Sequence, residues 1–406
     1  MFSRWTLLTT LRRYDRDQAG RDLLAACLVC LLLVPQALAY AQLAGLPAVA
    51  GLYASILPLV VYALIGASPG VALSFGPVAV LSLMTAAALA PVAAAGTAAY
   101  LAAATTLTLL VGVFLLLMGL LRMGFVANFL SHPVISGFVS GSALLIAVSQ
   151  FKHLLGISAD GLTLLQVLPA LYAQLPALHL PTLLLGLGSL ALLVLLRNLG
   201  MFGVPEALAL RIRQLSALLL MLLAMALGAV LQLEVYGVRV VGTVAAGLPP
   251  LGLPNLELGL LRELLPAAVL IALVGFVESV SIAQSLAMRK RQSIKPDQEL
   301  LGQGAANIAA ACSGGMPVAA SFSRSALALQ GNVATPLAGV LAAGLMLGTA
   351  FVLLRDGRLP WLADAHLAVY LLLSVLGSIA LSAMIFYTVE KPMMRLGRRL
   401  SGTFFA

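Results

Sequence analysis

Apolar residues fill most of the interval from residue 22 to residue 42, and comparable blocks recur along the chain. They fall at 48–66, 75–91, 98–121, 133–151, 178–197, 214–232, 262–288, 298–313, 320–330, 335–354 and 366–388. None alternates apolar and polar positions with period two, so the blocks predict helices and not the strands of a barrel. Most approach the length of about 20 residues that crosses a bilayer. Only helices and closed barrels satisfy their backbone in lipid. The pattern predicts an all-α polytopic membrane protein with about a dozen spans.

Two blocks differ from the rest. The third is preceded and entered by "GASPGVALSFGP", Gly66 to Pro77, and the tenth by "CSGGMPVAAS", Cys312 to Ser321. Neither stretch can be a regular helix, and each leads into a short apolar helix. Short, Gly/Pro-interrupted segments in corresponding halves point to a transporter binding site. The breaks fall at the third span of a first set of seven and the third of a second set that begins at the eighth. An odd number of spans per repeat inverts the second copy. The expected fold is therefore a seven-plus-seven inverted repeat with helices three and ten broken.

Helix starts inside a membrane leave backbone N–H groups without intrahelical partners. Two such starts facing one another concentrate partial positive charge and donors, which suits an anion. Ser321, Ser323 and Ser325 can cap or donate, and Arg324 adds a formal charge. A charge at that depth is expected in a water-accessible site. The alternatives are snorkelling, or pairing with the carboxylate of Glu278.

Composition agrees with a membrane protein: 62% of residues are hydrophobic and 9% charged, against about 25% charged in soluble domains. The net charge of +9 does not indicate nucleic acid, because the positive residues cluster beside spans. Arg4, Arg12, Arg13, Arg16 and Arg21 precede the first span. Arg289, Lys290, Arg291 and Lys295 follow the eighth, and Arg395, Arg398 and Arg399 follow the last. Lys and Arg beside spans stay on the cytoplasmic side, which puts both termini inside, in an inner (plasma) membrane. The first apolar run is too long for a removable leader and continues into further spans. Cys27 and Cys30 have redox spacing, but a span interior offers no charge to stabilise a thiolate, so packing is expected of them and of Cys312. No metal site or cofactor is expected.

At this point the residues carry a resemblance. "LVPQALAYAQLAGLPAVAGLYASILPLVVYALIGAS", Leu33 to Ser68, resembles the first two spans of the sulfate permease family of anion transporters. "LSFGPVAVLSLMTAAAL", Leu73 to Leu89, is similar to the third. The run from Ala272 to Gly339, with "GFVESVSIAQ" and "GGMPVAASFSRSALALQG" within it, is similar to spans eight to eleven. The resemblance implies two inverted repeats of seven segments. Core segments one to four and eight to eleven carry the anion and move against gate segments five to seven and twelve to fourteen.

On this sequence that organisation reads as a cytoplasmic segment at 1–21, core spans at 22–121, gate spans at 122–235, core spans at 236–354 and a divergent tail at 355–406. The resemblance implies that Gln36 and Tyr40 face the anion. Phe75, Gly76, Pro77 and Val78 would form one helix start, and Ser321, Phe322, Ser323 and Arg324 the other. Glu278 would stand beside the site. It is read as the one carboxylate inside a span of that block, either carrying a proton in with the anion or paired to Arg324. Some family members place a hydroxyl residue four positions beyond an acid there, as a sodium site. Ile282 holds that position here and offers no oxygen.

The residues agree with those roles. Gln36 and Tyr40 are four apart and share a helical face, and both carry donors. Interhelical hydrogen bonding is the other reading of that pair. Gly76 lets a ligand approach the backbone. The motif resemblance fades near residue 354, before the remaining gate segments and a cytosolic STAS domain. The tail, "LRDGRLPWLADAHLAVYLLLSVLGSIALSAMIFYTVEKPMMRLGRRL", resembles the last span of acyltransferase-3 type membrane acyltransferases. His132, His153, His179 and His366 form no acid-flanked cluster for such an enzyme. The expected activity is secondary transport of a small anion by alternating access, with channel-like conduction and acyl transfer as the other classes. The lipid bilayer is the expected environment, and a homodimer is compatible with the resemblance. A half gate would limit the chain to binding an anion without transporting it alone.

Overall fold

The computed structural model describes residues 14–66, 68–129, 132–157, 164–199, 249–290 and 294–354, with isolated positions between 203 and 238. Helices dominate them. In chain order they are α1 (Arg16–Leu43), α2 (Ala48–Tyr53), α3 (Leu57–Ile65), α4 (Pro69–Ser74), α5 (Ala79–Leu89), α6 (Ala98–Leu120) and α7 (His132–Leu155), then α8 (Leu164–Gln174), α9 (Leu180–Arg197), α10 (Leu258–Lys290), α11 (Pro296–Cys312), α12 (Phe322–Gln330) and α13 (Leu337–Leu354). Two short strands interrupt them, β1 (Phe75–Gly76) and β2 (Ala319–Ala320). The expected span at 214–232 lies in part, and that at 366–388 wholly, outside the described residues, as do both termini and most of the basic residues.

Among the described residues, four helical stretches are long and apolar enough to cross a membrane: Arg16–Leu43, Ala48–Ile65, Ala98–Leu120 and Leu258–Met288. Local chemistry sets their ends. Asp15 opens α1 by accepting from the Gln18 N–H at 2.8 Å, and Thr97 opens α6 by accepting from the Tyr100 N–H at 3.2 Å. Pro296 opens α11 from the first turn, where its missing N–H costs nothing.

Three departures from the expected spans have local causes. The second span is interrupted at 54–56, just before Pro58, which sits in the first turn of α3. The eighth begins at Leu258, four residues before the expected 262. Arg262 and Glu263 interrupt the apolar pattern there, but the helix runs through them. A helix not expected at all, α8, contains Pro169 and is followed by a 3-10 turn at Leu175–Ala177. The helices Leu165–Ala177 and Leu180–Leu196 bend by 118° at their junction, where His179 and Pro181 follow Pro176.

The chain divides into two compact units, split near residues 136 and 245. In the first, α6 and α11 lie in backbone contact through glycine. A Cβ at Gly112 would stand 2.7 Å from the Ile308 nitrogen, and one at Gly304 would stand 2.5 Å from the Leu116 nitrogen. Lipid is as apolar as the helices, so close approach of small residues, and not hydrophobic exclusion, holds such a pair. Asp22, fully buried on α1, ties that helix to the chain entering α13. It accepts from the Ala334 N–H at 2.7 Å, the Thr335 N–H at 3.0 Å and the Thr335 and Tyr14 hydroxyls. In the second unit, Ile157, Val167 and Leu171 form a small buried cluster.

Candidate functional site

Two helix starts meet at a pair of strands. After α4 the chain turns extended, because Pro77 disfavours helix at the residue before it. Gly76 takes φ +153, a conformation open to glycine. Helix α5 then begins at Ala79, with Val78 as its N-cap. On the other side Gly314, at φ +69, turns the chain out of α11, and Pro317 disfavours helix at Met316 before it, ahead of β2. Strand β1 pairs antiparallel with β2, placing Phe75 opposite Ala320 and Gly76 opposite Ala319.

Polar side chains inside the helices hold β2 in place. Asn307 accepts from the Val318 N–H at 2.9 Å and donates to the Val318 carbonyl at 3.0 Å. The Ser279 hydroxyl accepts from the Ala320 N–H at 3.1 Å. The backbone groups that a broken helix strands in the membrane are thereby partnered. The expected helix starts at 75 and 320 each fall a few residues later, since the residues in between are strand.

Neither start carries a side-chain cap. Ser321 occupies the N-cap of α12, yet its hydroxyl meets the Ser323 hydroxyl at 3.0 Å instead of capping the backbone. The first N–H groups of both helices are thus left to other acceptors. Ser323 and Phe322 are exposed, whereas Ser321, Val78, Pro77 and Phe75 are buried.

Arg324 lies in the first turn of α12 and is completely buried. Its Nε donates to the Ser74 carbonyl at 2.9 Å, and one terminal nitrogen, Nη1, donates to the Gln36 amide oxygen at 3.2 Å. The other, Nη2, is buried without a partner. A Cβ at Gly76 would stand 3.5 Å from it, so the unpaired donor faces the bare glycine. Tyr40, one turn beyond Gln36, lies within electrostatic reach of Arg324 and Glu278.

Glu278, on α10, does not pair with Arg324: no ion pair within 4.0 Å joins them. One of its carboxylate oxygens, Oε2, is buried without a hydrogen-bond partner. Of the two alternatives for Arg324, direct pairing gives way to a carbonyl and an amide, which leave the guanidinium its full charge. Ile282, one turn beyond Glu278, is 1% exposed and presents no oxygen.

The structure brings Gln36, Gly76 and Arg324 together, with Phe75 and Ser321 to Ser323 on the paired strands and helix start around them. It also corrects one reading. Glu278 is not the one carboxylate within the block's helices, because Glu299 lies in α11 and is 1% exposed. Glu299 falls within the expected span 298–313, one residue from its start. The Ser74 carbonyl, Ser279 and Asn307 were also missed. The last two carried a signal, as polar residues inside the expected spans 262–288 and 298–313, but backbone carbonyls carry none.

The fold and site define a class: an all-α, inverted-repeat membrane fold with two broken helices whose starts meet at one point. The chain belongs to the sulfate permease family, whose model matches residues 20–391. The match continues past residue 354, where the motif resemblance stopped, through most of the tail. The chain is 38% identical over 335 residues to a probable sulfate transporter of Mycobacterium tuberculosis, covering 82% of this chain and 58% of that protein. It is 34% identical over 374 residues to the chloroplastic sulfate transporter 4.1 of Arabidopsis thaliana, covering 91% of this chain and 53% of the relative. The chain thus spans little more than half the length of these relatives.

Two solved structures share the fold. The transmembrane domain of a cyanobacterium bicarbonate transporter, BicA, superposes with a TM-score of 0.68 at 23% identity, covering 92% of this chain and 97% of that one. Murine solute carrier 26 family member A9, an anion transporter, does so with a TM-score of 0.74 at 23% identity, covering 97% and 65%.

Proposed function

We propose that the chain is a secondary transporter of small anions, binding its substrate where the starts of α5 and α12 meet. The carrying observation is the buried Arg324 Nη2, left without a partner beside two uncapped helix starts. A buried donor with no acceptor is costly, and a sulfate, bicarbonate or similar oxyanion would supply one. Helix N-termini would add backbone N–H groups and partial positive charge. Gln36 would present its amide N–H and Tyr40 its hydroxyl, with Ser321 and Ser323 at the mouth. Phe75, Gly76, Pro77, Val78 and Phe322 would shape the walls.

Transport by alternating access requires core spans at 22–121 and 236–354 to carry the anion past gate spans at 122–235. Glu278 would couple a proton to the anion, a reading supported by its buried Oε2, which lacks a hydrogen-bond partner. Residence in an inner membrane with both termini cytoplasmic, and assembly as a homodimer, belong to the same proposal.

The test is uptake of labelled sulfate, bicarbonate and chloride into proteoliposomes of the full chain, with and without a pH gradient and with and without sodium. Saturable uptake that unlabelled anion on the far side accelerates supports the transporter. A linear, voltage-driven flux would make the protein a channel with the same site. No flux and no binding of any of the three anions would overturn both readings.

A further inference from the structure

Helix α4 has only six residues, yet it delivers Phe75 and the Ser74 carbonyl to the candidate site. Both of its ends are tied to one side chain on another element. Ser68 occupies the N-cap of α4 but makes no capping hydrogen bond. Its hydroxyl donates to Glu299 Oε1 at 2.5 Å. The Tyr62 hydroxyl donates to Glu299 Oε2, and the Tyr62 ring stacks on Phe75, with centroids 4.6 Å apart and planes 16° from parallel. Phe75 follows α4 directly and opens β1.

Glu299 is 1% exposed, and among the described residues no cation stands within 4.0 Å of it. Two hydroxyl donors, one to each oxygen, are what hold this carboxylate. Hydrogen bonds to such a group are short and strong. A buried carboxylate without cation is an expensive way to tie two helices together, so its placement under the segment that carries the site calls for a reason.

We infer that Glu299 is a positioning residue for the anion site, acting through Tyr62 and Phe75. By holding the Tyr62 ring flat against Phe75 and anchoring Ser68, it sets where β1 lies. That in turn sets the Ser74 carbonyl on which Arg324 Nε rests, and hence where Nη2 points. The inference rests on the proposed anion site, and its test separates the two.

The experiment measures anion affinity calorimetrically on the full chain in detergent. It uses whichever of sulfate, bicarbonate and chloride the unsubstituted chain binds most tightly, with melting temperature recorded for every variant. Tyr62→Phe keeps the stacked ring and removes the hydroxyl. It is expected to weaken binding about fivefold, within the range that coupled positions transmit. The same substitution made on Phe75→Leu should add less than about a twofold loss, since the ring it positions is gone. Glu299→Gln should weaken binding as Tyr62→Phe does, and the two together no more than either.

Equal losses from Tyr62→Phe in both backgrounds, or no loss at all, would overturn the inference. A residue with a merely structural role would lower melting temperature and leave affinity unchanged. Should Phe75→Leu bind nothing, the cycle between Glu299→Gln and Tyr62→Phe decides, and additive losses overturn it. Binding unchanged in Arg324→Ala would refute the site itself, and this inference with it. Loss in Arg324→Ala with none in Tyr62→Phe or Glu299→Gln would refute only the positioning role.

Discussion

Arg324 donates to the Gln36 amide oxygen at 3.2 Å, joining the tenth segment of the fold to the first across 288 residues of sequence. Each partner is thereby oriented. The guanidinium keeps one nitrogen free, and the Gln36 amide turns its own N–H groups away from the arginine.

Replacing Arg324 with Ala should therefore weaken anion binding by more than about tenfold, or about 1.4 kcal/mol. Lys should not restore it, because an ammonium cannot hold the Ser74 carbonyl and Gln36 together while leaving a planar donor free. Calorimetric titration of folded variants checks this. Wild-type affinity in Arg324→Ala would remove the arginine from the site.

Gly76→Ala is expected to leave the protein folded but to impair binding. The added Cβ would meet Leu33, Arg324 and Ser55 atoms at 3.4 to 3.6 Å, ordinary contact distances. The backbone at φ +153 makes the alanine strained by about 1–3 kcal/mol. The methyl would also lie against Nη2, on the side where a ligand would approach. Thermal melting and anion titration on the same samples separate the two effects.

Glu278→Gln should abolish proton-driven accumulation and preserve anion exchange. A carrier of the proton must be free to gain and lose it, and the amide cannot. Uptake by the unsubstituted chain should rise when the outside is made more acidic, and the variant should show no such rise. Persistent acceleration by an inward proton gradient in Glu278→Gln would assign coupling elsewhere.

The contact between α6 and α11 makes a stability prediction independent of transport. Gly304→Leu must move backbone, since even a Cβ there would stand 2.5 Å from the Leu116 nitrogen. A loss of about 1–3 kcal/mol or more is expected. Gly344 on α13 has nothing within 4 Å of a built Cβ, so Gly344→Ala should be neutral or stabilising by up to about 1 kcal/mol. Unfolding midpoints in detergent compare them, and equal midpoints would contradict the close packing.

Much of this protein was legible from its sequence. Long apolar runs without alternation predict membrane helices, because lipid leaves the backbone no other partners than its own. The breaks at 66–77 and 312–321 were equally plain, since proline and glycine act on their own stretch of chain. Arg324 and Glu278 stood out because charged residues in apolar surroundings need a reason, and the family resemblance added Gln36 and Gly76.

Tertiary structure alone decided how the two breaks join. A pairing of two residues with two is too short to leave a pattern, and Phe75 and Gly76 read as the start of a helix. Whether Arg324 meets Glu278 or Gln36 depends on distances between helices, which no local propensity encodes. The role of Glu299 was hidden for the same reason. A carboxylate near a helix start looks like a charge facing water, and only the packing of Tyr62 and Ser68 around it shows that it is buried.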